Sequence, residues 1–217
     1  MTWIWHEFIS NNTGKGKLFQ ELEICSIGCG PCTELVAFEE YCKKKQISIP
    51  FSFKGFDIEY TWNEIQNVVK NNSNNPNSVS FEHTDVFTYY NTHEKPNVLI
   101  LNYVLSSIVK NAPNSIGGFI NSISLLFQTM SPGVILINDI NFYTARSCFD
   151  KIMEKAIQSC HNLNIQKYYF SNTIKACFPY GSCRKNSSLW LKPNNFIQLN
   201  YSTNTECHSA QMIIIKK

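Results

Sequence analysis

Long apolar runs are absent from this sequence. Nowhere do eighteen consecutive apolar residues occur, so nothing in it is expected to span a membrane. The opening stretch, MTWIWHEFISNN, lacks the basic start and apolar centre of a secretion signal. Charge is scarce as well: only 16% of residues are Asp, Glu, Lys or Arg, and Asn and Ser take over much of the surface role. The balance of 19 basic to 16 acidic residues leaves +3, too small to argue for a nucleic-acid partner. There is no internal repeat and no linker, so one domain is expected over residues 1–217. Cysteine is plentiful, with nine residues, but the odd count, the chain length and the core-like settings of Cys25 and Cys42 argue against a disulfide scaffold. Reduced thiols in the cytoplasm are expected.

With 43% hydrophobic residues the chain can bury a core of its own. Short apolar runs predict strands at Leu22 to Ile27, Phe51 to Phe56, Val79 to His83, Val98 to Leu101 and Val134 to Ile137. Between them, helical spacing sets Leu35, Val36, Phe38 and Cys42 on one face, with lysines 43 to 45 closing that helix. Thr61 is expected to cap a helix carrying Trp62, Ile65 and Val69. Ile116 to Met130 and Ala145 to Cys160 predict two further helices, and a short one is expected near Asn102. The tail reads as a hairpin of FIQLNY (196–201) and AQMIII (210–215). Strands alternating with helices predict an α/β, doubly wound, mostly parallel seven-stranded sheet, helices on both faces and an antiparallel C-terminal hairpin at its edge.

The turn after the first strand carries the densest chemistry, ICSIGCGPCTE. Cys25, Cys29 and Cys32 have the C-x3-C-x2-C spacing that holds an iron–sulfur cluster in radical enzymes. Yet Cys25 sits in mid-strand, Pro31 replaces the aromatic residue of that motif, and Gly28 and Gly30 shape the turn. The cysteines are therefore read as packing residues. A glycine turn leading into a helix lets the backbone approach a ligand at the sheet's carboxyl edge. Asp57 closes the second strand, where a carboxylate suits the two hydroxyls of a ribose. Asp85 follows the third, placed for the amino group of an adenine, and Asn102 and Tyr103 end the fourth.

These segments, in this order, resemble class I S-adenosylmethionine (SAM)-dependent methyltransferases over residues 22–139. CSIGCGPCTE is similar to the family's glycine-rich first motif, GFDIEYTW to its ribose-binding second, HTDVF to its adenine-contacting third and VLILNYVLSS to its fourth; MSPGVILINDIN matches its fifth strand. The resemblance implies a Rossmann-like fold and SAM held by Gly28, Cys29, Gly30, Pro31, Glu34, Asp57, Ile58, Asp85, Val86, Asn102 and Tyr103. Two residues depart from the pattern. Cys32 stands in place of a third glycine, and Ser26 where many members carry an acid near the SAM amino group, a role that Glu34 or a water is expected to fill.

The methyl acceptor is less legible. Asp139 and Tyr143, after the fifth strand, are weak candidates for catalysis, with helix capping the competing role for Asp139. Asn102-Tyr103-Val104-Leu105 lacks the paired prolines of enzymes that methylate base amino groups, which disfavours DNA amino methylation. Trp3, Trp5 and Phe8 are read as a lid or extension within residues 1–20, with packing against the sheet edge the commoner fate of such aromatics, and residues 165–195 as a substrate-cap insertion. Cys160, His161, Cys177, Cys183, Cys207 and His208 could supply zinc ligands, but no compact pair occurs and no metal is expected. A small-molecule or protein acceptor leads. RNA, through Arg184, Lys185 and Lys192, and a SAM-binding regulatory or inactive protein are the alternatives.

Overall fold

Apolar runs of four to eight residues become strands here because parallel neighbours bury both of their faces. The computed structural model describes residues 1–89, 95–170, 179–184 and 208–217. Five strands, β1 (Leu22–Ile27), β2 (Phe51–Phe56), β3 (Val79–Glu82), β4 (Val98–Asn102) and β5 (Gly133–Ile140), run parallel to one another. With β6 (Leu163–Phe170), β7 (Ser182–Arg184) and β8 (Ser209–Lys216) they form one eight-stranded sheet in the order β3-β2-β1-β4-β5-β8-β6-β7.

The C-terminal end of the sheet departs from expectation. β8 is antiparallel but lies inside the sheet, between β5 and β6, rather than at an edge. Seven consecutive buried residues, Ser209 to Ile215, suit only such an inner position. Residues 196–201, the expected hairpin partner, lie outside the described residues. Residues 165–170, read as the start of a cap, belong to β6. Its sequence LNIQKYYF mixes Gln, Lys and Tyr into the strand and so lacks the uniform apolar signal. Of the rest of that expected cap, residues 171–178 and 185–195 lie outside the described residues.

Helices α1 (Thr2–Asn12), α2 (Thr33–Lys45) and α3 (Asn63–Asn72) cover one face, and α4 (Val86–Tyr89), α5 (Val104–Asn111), α6 (Ile116–Thr129) and α7 (Tyr143–Ser159) the other. Among the described residues, no helix is long and apolar enough to cross a membrane. α1 buries Ile4, Trp5, Phe8 and Ile9. The Trp5 ring meets Phe38 of α2 at 4.9 Å, and Phe8 meets Phe19 at 5.2 Å. Trp5 and Phe8 are thus core residues and not part of a lid, and Trp3 packs half-buried beside them, against Phe170. In α2 the inward stripe is Leu35, Phe38 and Tyr41, with Val36 exposed.

The α3 region is also rotated from its expected setting. Thr61 lies within a 3-10 turn, Tyr60–Trp62, and makes no cap; Trp62 and Ile65 are exposed, while the buried residue is Gln66. A specific polar contact, described below, turns the helix this way. Burial of Trp5 in a full aromatic cluster predicts that Trp5→Ala lowers unfolding free energy by about 3–5 kcal/mol, the range for truncating a large core aromatic. Urea unfolding measures this, and a loss below about 1 kcal/mol would show that α1 does not belong to the core.

Candidate functional site

Parallel strands bring the turns that follow β1, β2, β3 and β4 to one edge of the sheet, beside the end of β5. After β1 the backbone enters the left-handed region at Gly28 (φ 62°) and Gly30 (φ 49°). A Cβ at Gly28 would lie 2.7 Å from Val104 Cγ2, so both conformation and space demand glycine there. Cys32 takes the same left-handed conformation (φ 62°) where the family pattern has glycine, and its N–H closes the turn on the Cys29 carbonyl at 2.8 Å. The thiols are packing groups. Cys25 belongs to the core on the α5–α7 face and Cys32 to the core on the α1–α3 face, so no single cluster could take both. Burial, reinforced by the nearby Glu34 carboxylate, pushes the Cys29 and Cys32 thiols far above their ordinary pKa.

Asp57 leans across this turn. Its Oδ2 accepts the Gly30 N–H at 2.8 Å and its Oδ1 the Glu59 N–H at 2.9 Å. From the far side, Gln66 of α3 donates through Nε2 to the Gly30 carbonyl at 2.8 Å and to Cys29 Sγ at 3.6 Å. Both polar groups of Gly30 are therefore fixed by side chains from other elements. Gln66 escaped sequence reasoning, since one amide in a helix has no signature beyond its neighbours. Ile58 stands 73% exposed next to Asp57. Asp85 caps the short helix α4, accepting the Phe87 N–H at 3.0 Å, and Val86 is buried, which leaves only its main chain to a ligand. Tyr60 and His83 pack edge to face at 4.8 Å between the ends of β2 and β3, a pair the sequence reading passed over.

Deeper in, Glu34 of the first turn of α2 has no solvent exposure. The Ser26 hydroxyl donates to its Oε1, and Asn102 Nδ2 donates to its Oε2 at 3.3 Å and to Thr33 Oγ1 at 3.2 Å. Glu34 thus reaches the Ser26 position, where the family pattern carries an acid on the strand itself. Desolvation raises its pKa, and the hydrogen bonds from Ser26 and Asn102 work against that rise. Trp5 Nε1 donates to the Glu34 carbonyl at 3.0 Å and pins the helix start.

On the side of β4 and β5, Tyr103 sits at φ 58° and donates its N–H to the Asn138 carbonyl at 2.8 Å. Asp139 lies within β5 rather than beyond it, because pairing with β8 extends the strand to Ile140. Its carboxylate is buried and occupied: Oδ2 accepts the Ser106 N–H at 2.9 Å and Oδ1 the Ile140 N–H at 2.7 Å. It caps α5, the helix before β5, not the helix after it, and burial raises its pKa. Tyr143 begins α7 and is 77% exposed, beside the exposed Phe142 and near Tyr103 in the strand order.

No protein-family model matches the sequence, and no curated protein matches it. Solved structures do match in shape. A protein assigned as an rRNA methylase from Clostridium thermocellum superposes with a TM-score of 0.54 at 12% identity, covering 97% of this chain and 92% of its own. Precorrin-6y C5,15-methyltransferase from Geobacter metallireducens gives 0.53 at 8% identity, over 99% of this chain and 87% of its own. A protein assigned as an O-methyltransferase from Klebsiella pneumoniae gives 0.55 at 4% identity, over 100% and 79%. With its sheet order and the helices on both faces, the chain has the Rossmann-like fold of the class I SAM-dependent methyltransferases.

Proposed function

We propose that this chain transfers a methyl group from SAM to a small-molecule or protein acceptor. The observation that carries the reading is the pair of carboxylates set around one glycine turn. Asp57 is locked over Gly30, and Glu34 is buried below it with only neutral hydrogen-bond partners. Beyond the coulombic pull of the Met1 α-amino group, no cation is among Glu34's hydrogen-bond partners in the described residues, and the α-ammonium of SAM would supply one. The site fits the cofactor in its other parts too. Asp57 would accept from the ribose hydroxyls, Ile58 would lay its exposed apolar side chain against the adenine ring, and Asp85, at the start of α4, would take its amino group.

SAM, when bound, would supply a methyl carbon activated on a sulfonium, open to in-line attack by an acceptor nucleophile with the neutral thioether as the leaving group. The chain's own contribution is then orientation and exclusion of water. Gly28, Cys29, Gly30 and Pro31 form the floor. Asn102 and Tyr103 lie at the end of β4, beside β5, and the exposed rings of Tyr103, Phe142 and Tyr143 offer a surface for the acceptor on that side. Asp139 is spent on the α5 cap, so the acceptor brings a nucleophile that needs no proton removed by that group. The three structural relatives bear names that imply different acceptors, and the shared fold does not choose among them.

Calorimetric titration with SAM tests the cofactor site. Asp57→Ala should weaken binding at least tenfold, about 1.4 kcal/mol, since a hydrogen bond to a charged group contributes about 1.5–3 kcal/mol. Unchanged affinity would remove the basis of the reading. Turnover with a retained metabolite, set against salt-dependent RNA binding, separates the acceptor classes.

Glu34 gives a second test, with opposite signs for stability and binding. Its pKa is raised on folding, so the stability its neutral form contributes is fully present below the ordinary carboxylate range. That stability is lost as pH rises through the raised value. SAM binding, which uses the anion, should strengthen over the same rise. Glu34→Gln should therefore flatten both profiles, raising stability at alkaline pH while lowering SAM affinity about tenfold. Parallel loss of stability and affinity would show a merely structural role for the carboxylate.

A further inference from the structure

Three polar side chains, Asn102, Asn138 and Gln211, occupy one row of the sheet on the face that packs under α1 and α2, and Ser26 lies one layer below, level with Ile100, Leu136 and Ile213. Ser26 of β1, Asn102 of β4, Asn138 of β5 and Gln211 of β8 belong to adjacent strands, and Asn102, Asn138 and Gln211 are direct register partners. Ser26, Asn138 and Gln211 are 0%, 2% and 1% exposed. Their hydrogen bonds have one direction. Gln211 Nε2 donates to Asn138 Oδ1 at 2.9 Å, Asn138 Nδ2 donates to Asn102 Oδ1 at 2.8 Å, and Asn102 Nδ2 donates to Glu34 Oε2. At the far end Gln211 Oε1 is buried with no partner among the described residues.

That orphaned oxygen shows which way the row is set. A side-chain amide can turn over and exchange its donor and acceptor. If Gln211 turned, its oxygen would meet the Asn138 oxygen. Asn138 would then have to turn, and after it Asn102, whose oxygen would face the Glu34 carboxylate. The reversed row is compatible only with a protonated Glu34 that donates to Asn102. The orientation present leaves one buried acceptor unsatisfied and in return brings every N–H toward Glu34.

Resting on the SAM reading above, we propose that Asn138 and Gln211 are positioning residues for Glu34: they fix the Asn102 amide so that the carboxylate is held ionised for the cofactor's ammonium. Gln211 acts from two strand spacings away, about 10 Å from Asn102, and touches neither carboxylate nor cofactor. The titratable groups facing Glu34 are the Cys29 and Cys32 thiols, neutral in the working range, and the α-amino group of Met1. None of them is altered by changes at Gln211.

The test reads Glu34 directly in the protein without cofactor. The 13Cδ resonance of Glu34, in protein labelled at glutamate and identified by its loss in Glu34→Gln, is followed against pH in wild type and in Gln211→Leu. With the row's anchor removed, the midpoint should rise by about 0.5 pH unit, a threefold shift in the ionisation constant. SAM affinity measured near the wild-type midpoint should fall by up to the same factor. A folded Gln211→Leu protein with an unmoved midpoint overturns the proposal, whatever its thermal stability. Should that variant not fold, Asn138→Ser breaks the same link and is read the same way. Wild-type protein that titrates as described but binds no SAM would refute the cofactor reading and leave the row's control of Glu34 standing.

Discussion

Gly30 is the point to which the rest of the site is tied. Its N–H is held by Asp57 from the end of β2 and its carbonyl by Gln66 from α3. Two separate elements thus agree on the position of one residue in the loop after β1. Each contact alone is a modest hydrogen bond, near 1 kcal/mol for a neutral pair and more for the carboxylate. Their joint effect is geometric. A glycine at φ 49° has wide freedom in an open loop, and here that freedom is removed before any ligand arrives. Preorganisation of this kind lowers the cost of binding without adding contacts.

Below that loop the molecule accepts a local penalty. Burying Glu34 without a cation on its hydrogen bonds works against stability, as its raised pKa shows. Cys32 in the left-handed region adds strain of about 1–2 kcal/mol for a residue with a Cβ. Elsewhere the chain compensates through aromatic packing of α1 on α2, and through the apolar layers of β5 and β8, which are buried along nearly their whole lengths. Strain and buried charge gather at the sheet's carboxyl edge, and ordinary hydrophobic packing holds the remainder. This division is the pattern expected where a local arrangement serves a ligand.

Much of this was legible in the sequence because uniform apolar runs and glycine turns are local signals. The bounds of β1 and β2 agree with the apolar runs to the residue. Asp57 lies over the glycine turn as its spacing implied, and Glu34 reaches the vacancy left by Ser26. What was not legible depends on distant partners. β6 hides behind Gln, Lys and Tyr, which suit a strand only partly buried along most of its length. Asp139 was set outside its strand because the residues that lengthen β5 pair with β8, seventy positions later. Trp5 and Phe8 gave no sign of their burial, since aromatic residues at a chain's start serve equally as a cover or a core. Asn138 and Gln211 did leave a trace, single amides inside otherwise apolar strands, and that exception to the pattern is the kind of signal worth following.

The placement of β8 between β5 and β6 bears on how the chain acquires its shape during synthesis. β8 leaves the ribosome after every other strand described, yet it is the interior strand that joins β6 and β7 to the rest. Until it emerges, β5 and β6 each present an unpaired backbone edge flanked by apolar side chains, the arrangement most prone to improper strand pairing. Helices α1 to α6 and the first five strands can associate in the order they are made. Closure of the sheet must wait for pairings of long sequence separation, which carry a large loop-closure cost and form slowly. The nascent chain is therefore most exposed to aggregation in the interval between the emergence of β6 and the threading of β8 into place.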